Sequence, residues 1–489
     1  VIDHVEVRPG HYADSVTLMQ VSSAVGLVAG VDAAIVAMAT ELNRDLLVSM
    51  GFDVGAAGRD DLVVAIRAED DAVLAIALAA LVTALAPRRV ASDDAGDAPA
   101  RTVGEAAVGG GDLVLISVPG EHAFVEAIDA IEAGLDVMVF SDNMPVAQEI
   151  ALKERAASLG RFAMGPDAGT AIVSGVGLGF ANVVRPGTVG VVAASGTGAQ
   201  LLTCLLDAAG VGISHVLGVG GRDLTTAVAG RATLRALELL DADPATQHVV
   251  VLSKPPAADV AARIAAVAAA MTKPVTLALL GEGQPDLAQR AEEVILAVGG
   301  TPPSTWPVWG MRPVPSEPGR LVGLFSGGTL CAEATLVARA SLDGVRANVV
   351  VEAPFRLHGF EQLEGHILID LGEDEFTRGR PHPMIDQRLR LDRIVVESAT
   401  ARVLLLDVVL GHAAHADPAA ELAPVLAEVR RRAAQEGRTL DVVVSLCGTA
   451  SDPQGLERQA GQLVAAGAFV CLSNAEAART AVSLAGGAA

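Results

Sequence analysis

Val189-Gly190-Val191-Val192-Ala193-Ala194 runs directly into Ser195-Gly196-Thr197-Gly198 and then an apolar helix from Ala199 to about Ala209. The unit is used twice: Leu321–Phe325 leads into Ser326-Gly327-Gly328-Thr329 and a helix from Leu330 to about Ala340. An apolar strand opening a helix through a small-residue turn is the building block of a parallel sheet covered on both faces. The turn leaves the first N–H groups of the helix unpaired and aimed at one point, with the positive helix end behind them. Glycine lets an anion approach the backbone, and Ser or Thr adds a hydroxyl donor. Two such turns could clamp one phosphate or carboxylate; close helix–sheet packing favours glycine there as well.

Outward from these turns, the chain alternates strands and helices. Asp112–Val118, Asp136–Phe140, His215–Val219, His248–Ser253 and Val275–Leu279 read as buried strands around the first unit. His366–Leu371, Arg402–Leu410, Asp441–Leu446 and Phe469–Leu472 do so around the second. In such sheets ligands bind beyond the carboxyl ends of the strands, where both glycine turns sit. Upstream, His4–Arg8, Ala33–Met38 and Leu62–Ala68 alternate with helices near Ala13–Val25, Glu41–Met50 and Asp70–Leu85, which predicts a small α/β sandwich. Two stretches read as linkers: acidic Ala91–Ala100, and Gly299–Gly319, dense in proline and holding Trp306 and Trp309.

The 489 residues carry 35 Lys and Arg against 58 Asp and Glu, a net charge of −23 that argues against nucleic acid or an anionic membrane as partner. Ala72–Pro87 is apolar but shorter than the roughly 20 residues of a membrane span. Cys204, Cys331, Cys447 and Cys471 show neither metal spacing nor CxxC, and His4, Glu6 and Arg8 exclude a signal-peptide h-region at the start of the sequence. A soluble, cytoplasmic and oligomeric protein is expected.

Two resemblances follow from longer stretches. LISVPGEHAFVEAIDAIEAGLDVMVFSDNMPV, GRFAMGPDAGTAI, RPGTVGVVAASGTG and VGISHVLGVGGRDL, within Asp112–Asp223, resemble the α-subunit of succinyl-CoA synthetase. HILIDLGEDEFTRGR, LLDVVLGHAAHADP and DVVVSLCGTASDPQG resemble the carboxyl domain of the β-subunit. The resemblance implies an α/β chain with a small N-terminal domain (1–90), a degenerate, CoA-binding-like Rossmann domain (101–186) and two fused flavodoxin-like doubly wound domains (187–300 and 319–489). Its two SG turns would then face each other around a phosphate. The chain departs from that family at the phosphohistidine segment, where Thr276–Arg290 contains no histidine, and at the stabilising Glu, replaced near Ser253-Lys254-Pro255-Pro256. It also lacks the Gly-rich first CoA turn and room for an ATP-grasp module.

As a whole, with its DEFTRGRPHPMID segment and GHAAHADP loop, the chain resembles the FdrA family. That resemblance implies a subunit of oxamate carbamoyltransferase, acting with two further subunits. Oxalurate and inorganic phosphate would give oxamate and carbamoyl phosphate, with no cofactor and no binding of CoA or nucleotide. An acyl-CoA synthetase-like subunit with an ATP-grasp partner, or a noncatalytic anion-binding scaffold, is the alternative.

Phosphorolysis of this kind needs a held phosphate, oxyanion stabilisation and a proton for the leaving group. Ser195, Gly196, Thr197 and Gly198 with Ser326, Gly327, Gly328 and Thr329 are the candidates for the phosphate. Gly220-Gly221-Arg222 follows another strand end; Arg222 could grip a carboxylate or simply sit beside a tight turn. Arg378, Arg380 and His382 crowd one loop, where the arginines could bind the substrate carboxylate and His382 transfer a proton, or cap the loop. Asp386 could orient His382 or cap the next helix. His412, His415 and Asp417 are too few for a zinc site, so no metal is expected; they could line an anion site instead. Gly448 and Thr449 would line the cleft beside a packing Cys447.

Overall fold

A computed structural model describes residues 1–55, 57–86, 100, 102–360, 363–378 and 380–486. The acidic linker expected from Ala91 and the loop residue Gly379 lie outside the described residues, apart from Ala100. The N-terminal unit consists of β1 (Ile2–Arg8), α1 (Ser15–Gly26), β2 (Val31–Met38), α2 (Glu41–Ser49), β3 (Leu62–Ala68) and α3 (Asp71–Leu85). Its sheet is antiparallel in the order β1-β3-β2, with the apolar β3 in the middle. Asp70 starts α3 by accepting the N–H groups of Ala72 and Val73, so the Ala-rich run is a helix laid on this sheet.

The second unit comprises α4 (Val103–Val108), β4 (Leu113–Ile116), α5 (Gly120–Glu132), β5 (Asp136–Val139), α6 (Val146–Ser158) and β6 (Ala163–Met164), with β4, β5 and β6 forming a short parallel Rossmann-like sheet. The chain continues through β7 (Thr170–Val173), β8 (Val176–Gly179), β9 (Pro186–Ala193), α7 (Gly196–Ala208), β10 (Ile213–Gly218), α8 (Arg231–Ala242), β11 (His248–Ser253), α9 (Ala258–Ala270), β12 (Val275–Leu279) and α10 (Leu287–Ala297). These strands form a sheet ordered β12-β11-β9-β10-β7-β8, parallel from β12 to β10. The β7–β8 ribbon pairs antiparallel with β10 and has no counterpart in the sequence reading, because Gly169, Gly175, Gly177 and Gly179 interrupt its apolar run.

The last unit holds β13 (Val308–Trp309), β14 (Leu321–Phe325), α11 (Gly328–Arg339), β15 (Arg346–Ala347), β16 (Ile367–Asp370), α12 (Asp374–Thr377), α13 (Arg388–Glu397), β17 (Val403–Val409), α14 (Pro418–Gln435), β18 (Asp441–Cys447), α15 (Leu456–Ala465), β19 (Ala468–Cys471) and α16 (Asn474–Ala485). Its sheet runs β13-β19-β18-β17-β14-β16-β15 and is parallel except for β13, which the Pro-rich linker contributes to the edge. The fold is thus α/β, a Rossmann-like unit and two doubly wound parallel sheets beside a small α/β sandwich.

In both large sheets the chain leaves the central strand on one side and returns on the other. Those strands are β9 and β14, and the switch points at their carboxyl ends are the places where open α/β sheets bind ligands. The helices that follow, α7 and α11, pack on each other, and one apolar core passes through Leu201, Leu205, Leu330 and Ala334 into both sheets. Burial on both sides explains why these helices are apolar around most of their circumference.

Candidate functional site

The paired packing of α7 and α11 brings the two glycine turns into contact. Ser195 caps α7 by accepting the Gly198 N–H at 3.1 Å, and its hydroxyl also meets the Thr329 hydroxyl from the first turn of α11. A β-carbon at Gly327 would lie 2.9 to 3.0 Å from the Thr197 side chain, and one at Gly198 would lie 2.9 Å from Thr329. Glycine is required at both positions because one helix end sits against the other. The first N–H groups of each helix, on Gly196, Thr197, Gly328 and Thr329, have no carbonyl within their own helix. Ser195, Gly196, Thr197 and Gly328 are partly exposed, whereas Thr329 is buried.

The two turns are not equivalent. Ser326 donates its N–H and its hydroxyl to Asp407 Oδ1 at 2.8 and 2.9 Å, and Gly327 N donates to Asp407 Oδ2 at 2.8 Å. Asp407 is fully buried and is held from behind by Arg390 Nη1 at 2.8 Å. Burial pushes the Asp407 carboxyl up and the Arg390 guanidinium down, and their contact opposes both shifts. An internal carboxylate therefore occupies the donors of Ser326 and Gly327, which the sequence reading offered to phosphate; Gly328 and Thr329 are the part of that turn left to an external anion.

Three further groups face the helix ends. Lys254, in the loop just after β11, places its ammonium where a β-carbon on Gly328 would be 2.9 Å away, and Asp370 Oδ2 flanks the same point at 2.5 Å. The Lys254 ammonium pairs with Glu373 at 3.8 Å. Asp370 is 3% exposed, and burial pushes its carboxyl up to about 7 against the pull of Lys254. Thr170, on β7, is 4% exposed, and its hydroxyl has no hydrogen-bond partner among the described residues. That oxygen lies 3.0 Å from the position of a β-carbon on Gly196, the first residue of α7.

His382 lies beside this group, its ring 5.8 Å from that of Phe180. Its Nδ1 accepts the Met384 N–H at 3.2 Å, which assigns the proton of the neutral ring to Nε2. A β-carbon on Gly372 would lie 2.6 Å from that Nε2, 3.0 Å from Asp370 Oδ1 and 3.1 Å from Ser326 O. Burial, with a smaller push from Arg390, lowers the imidazole to about 4, so at neutral pH it is an uncharged donor and not a base. Arg378 and Arg380 are exposed. Asp386 accepts the Arg388 N–H and guanidinium and not His382, which settles it as a local cap.

The other expected residues lie elsewhere. Gly220 and Gly221 pack against Pro166 and Asp167, and Arg222 donates to Met144 O at 2.7 Å and pairs with Glu149 at 3.0 Å. Its guanidinium pins loops together. Thr449 is buried and donates to Val183 O at 2.7 Å, while the missing side chain of Gly448 admits Leu410, so both sit at the seam between the large sheets and not on the cleft. His415 pairs with Glu421 at 3.2 Å, and Asp417 with Arg458 at 2.6 Å. Cys447 Sγ is 3.9 Å from Cys204 Sγ, and both are buried. Sequence reading passed over Lys254, Asp370, Asp407 and Thr170. A lone acid inside Leu404-Leu405-Leu406-Asp407-Val408-Val409 was the available signal for Asp407.

Comparison with known proteins supplies the family. Residues 1–101 match the AllF heavy metal-associated domain, and residues 324–484 match the CoA-ligase family. The donor set of the first region does not fit a heavy metal: it has no cysteine, and no three His, Cys, Asp or Glu side chains converge among the described residues. The α-subunit of ADP-forming succinate–CoA ligase from Methanothermobacter thermautotrophicus is 29% identical over 190 residues, 38% of this chain and 63% of that one. The ADP-forming sulfoacetate-CoA ligase subunit SauD of Bilophila wadsworthia is 26% identical over 150 residues, covering 29% and 50%. The dinucleotide-forming acetyl-coenzyme A synthetase 1 of Ca. Korarchaeum cryptofilum, solved with phosphate and ADP, aligns over 76% of this chain and 82% of its own at 16% identity and a TM-score of 0.28. The CoA-ligase match and the ligase-subunit relatives overturn the expected carbamoyltransferase. No helix among the described residues is long and apolar enough to cross a membrane. The uncharacterized protein YahF of Escherichia coli K12 is 34% identical over 497 aligned positions, 96% of each chain, and this chain belongs to the YahF family.

Proposed function

We propose that the chain is an acyl-CoA synthetase-like subunit of the CoA-ligase type, holding a phosphate or acyl-phosphate group between the N-termini of α7 and α11. The observation that carries this reading is the meeting of two partly exposed helix ends, with the Lys254 ammonium against Gly328 of one and the Thr170 hydroxyl, unpartnered among the described residues, against Gly196 of the other. Four fixed N–H groups, a hydroxyl and an ammonium match the oxygens and the charge of a phosphate. The CoA-ligase family match over 324–484 supports this reaction class, and the relatives named as ligase subunits support work in a complex.

The nucleotide module and the phosphoryl carrier belong, in this reading, to a partner subunit with an ATP-grasp module, since Thr276–Arg290 offers no histidine. In this reading the chain itself supplies no CoA or nucleotide site, and the close approach of backbone at Asp142 and Asn143 to Gly120, the first residue of α5, supports that. Four buried free thiols suit a reducing cytoplasm.

The test is phosphorus NMR and calorimetry of the full chain with inorganic phosphate. Saturable binding is expected, weakened about tenfold by Lys254→Met and by a smaller factor in Thr170→Val, since a charge-assisted contact outweighs a neutral one. Absence of phosphate binding would remove the reading. Acyl phosphate with CoA, supplied to the chain in its native complex, then distinguishes a ligase subunit from a silent anion-binding scaffold by whether acyl-CoA forms.

A further inference from the structure

Resting on the phosphate reading of this site, we propose that Asp370 makes it select an oxyanion that carries a proton, the hydrogen phosphate class, over a fully ionised one such as sulfate. Both side-chain oxygens of Asp370 are placed by the fold. Oδ1 accepts the Gly372 N–H at 2.8 Å, while the backbone N–H and carbonyl are bonded to the Asn348 amide at 2.8 Å each. Oδ2 is left against Gly328, the first residue of α11, 2.5 Å from the position of a β-carbon there. The hydroxyl of Thr170, buried and without a partner among the described residues, points independently to a ligand at the same paired helix ends, since it lies against the first residue of α7.

A buried carboxylate beside a bare dianion repels it with little solvent to screen the charges. One proton between the two oxygens turns that repulsion into a charge-assisted hydrogen bond. The proton can arrive with the ligand or be taken up by Asp370 from water. Hydrogen phosphate brings one at neutral pH; sulfate brings none and binds only to the protonated carboxyl. With Asp370 raised to about 7, sulfate binding is available below neutrality and fades above it.

The other groups facing Asp370 are Lys254 from the loop after β11, Glu373 on its own loop, Asp407 on β17, Cys331 on α11 and His382 from the loop before α13. Cys331 is held well above its ordinary value by burial and His382 is lowered to about 4, so both stay uncharged around neutrality. Asp407 is locked to Arg390. Lys254 strengthens binding of either anion and does not distinguish them.

The experiment is calorimetry of the full chain with sodium phosphate and with sodium sulfate, at matched ionic strength, at about pH 6 and about pH 8. Comparable affinities are expected at the lower pH and a preference for phosphate of roughly tenfold or more at the higher, since each unit above the carboxyl's own value is a tenfold loss of its protonated form. Asp370→Asn should bind both anions within about threefold of each other at either pH, because an amide does not ionise. If sulfate matches phosphate at the higher pH in the unaltered chain, the selection by Asp370 is overturned while the phosphate site stands. If neither anion binds at either pH, the site reading itself falls and this inference with it. Should Asp370→Asn fail to fold, the comparison in the unaltered chain decides alone.

Discussion

Asp407 shows how one residue can redirect a motif. Its carboxylate takes three donors from Ser326 and Gly327 and one from Arg390, all without solvent. Breaking a buried ion pair from one side leaves the other charge uncompensated, at a cost of about 3–5 kcal/mol. Asp407→Asn should lower stability by that amount in urea unfolding, and Arg390→Met by a comparable amount. An unchanged midpoint for both would mean that water reaches the pair. The same residue explains a limit of the sequence: Ser326 and Asp407 are 81 positions apart, so the partner that occupies Ser326 is invisible to any local pattern. Arg222 is a parallel case, since its engagement by Glu149 depends on how α6 packs under the following sheet. Ser195, by contrast, caps its own helix, and the three-residue spacing to Gly198 was readable directly.

Among the elements, the buried strands were legible almost to the residue. His248–Ser253, Val275–Leu279 and Leu321–Phe325 appear with the expected bounds, because a continuous apolar run ended by turn residues has few alternatives. The ribbon of β7 and β8 was not, since four glycines leave no periodicity to read. Yet β7 carries Thr170 to the front of α7, so part of the site was hidden with it. A link between helices gives a prediction at this scale. Glu333 of α11 accepts the Leu287 N–H at the start of α10 at 2.7 Å and the Asn474 amide at 2.8 Å. Burial and nearby Asp286 push its carboxyl up to about 7. The native state therefore keeps a proton that the unfolded chain gives up from about pH 4.5, so stability contributed here falls as pH rises through that window and levels above about 7. Glu333→Gln should flatten this part of the melting-temperature profile; an unaltered slope would assign it to other groups.

At the scale of the molecule, the two large sheets are sewn together. Asp452 accepts the Asn182 amide and the Val183 N–H at 2.7 Å each and the Thr449 N–H at 2.8 Å, and Ala181 bridges to His412. Asp452→Ala should remove roughly 3 kcal/mol of coupling, given the worth of hydrogen bonds to a charged group. Scanning calorimetry should then resolve two transitions where the unaltered chain shows one; a single transition at lower temperature would mean that the shared core around α7 and α11 suffices. The N-terminal sandwich is tied in as well, since the Arg388 guanidinium packs on Gly26 at the end of α1. Arg388 is also the partner of Asp386 in the loop that presents His382.

The Pro-rich segment between the sheets is more than a tether. It supplies β13 to one sheet edge, and Ser316 and Glu317 are gripped by Arg402, so little slack remains between the halves. Halves joined this way meet at an effective concentration fixed by the covalent connection and not by expression level. Dilution in the cell therefore cannot separate Ser195 from Thr329, and gene dosage has no hold on whether the two helix ends find each other.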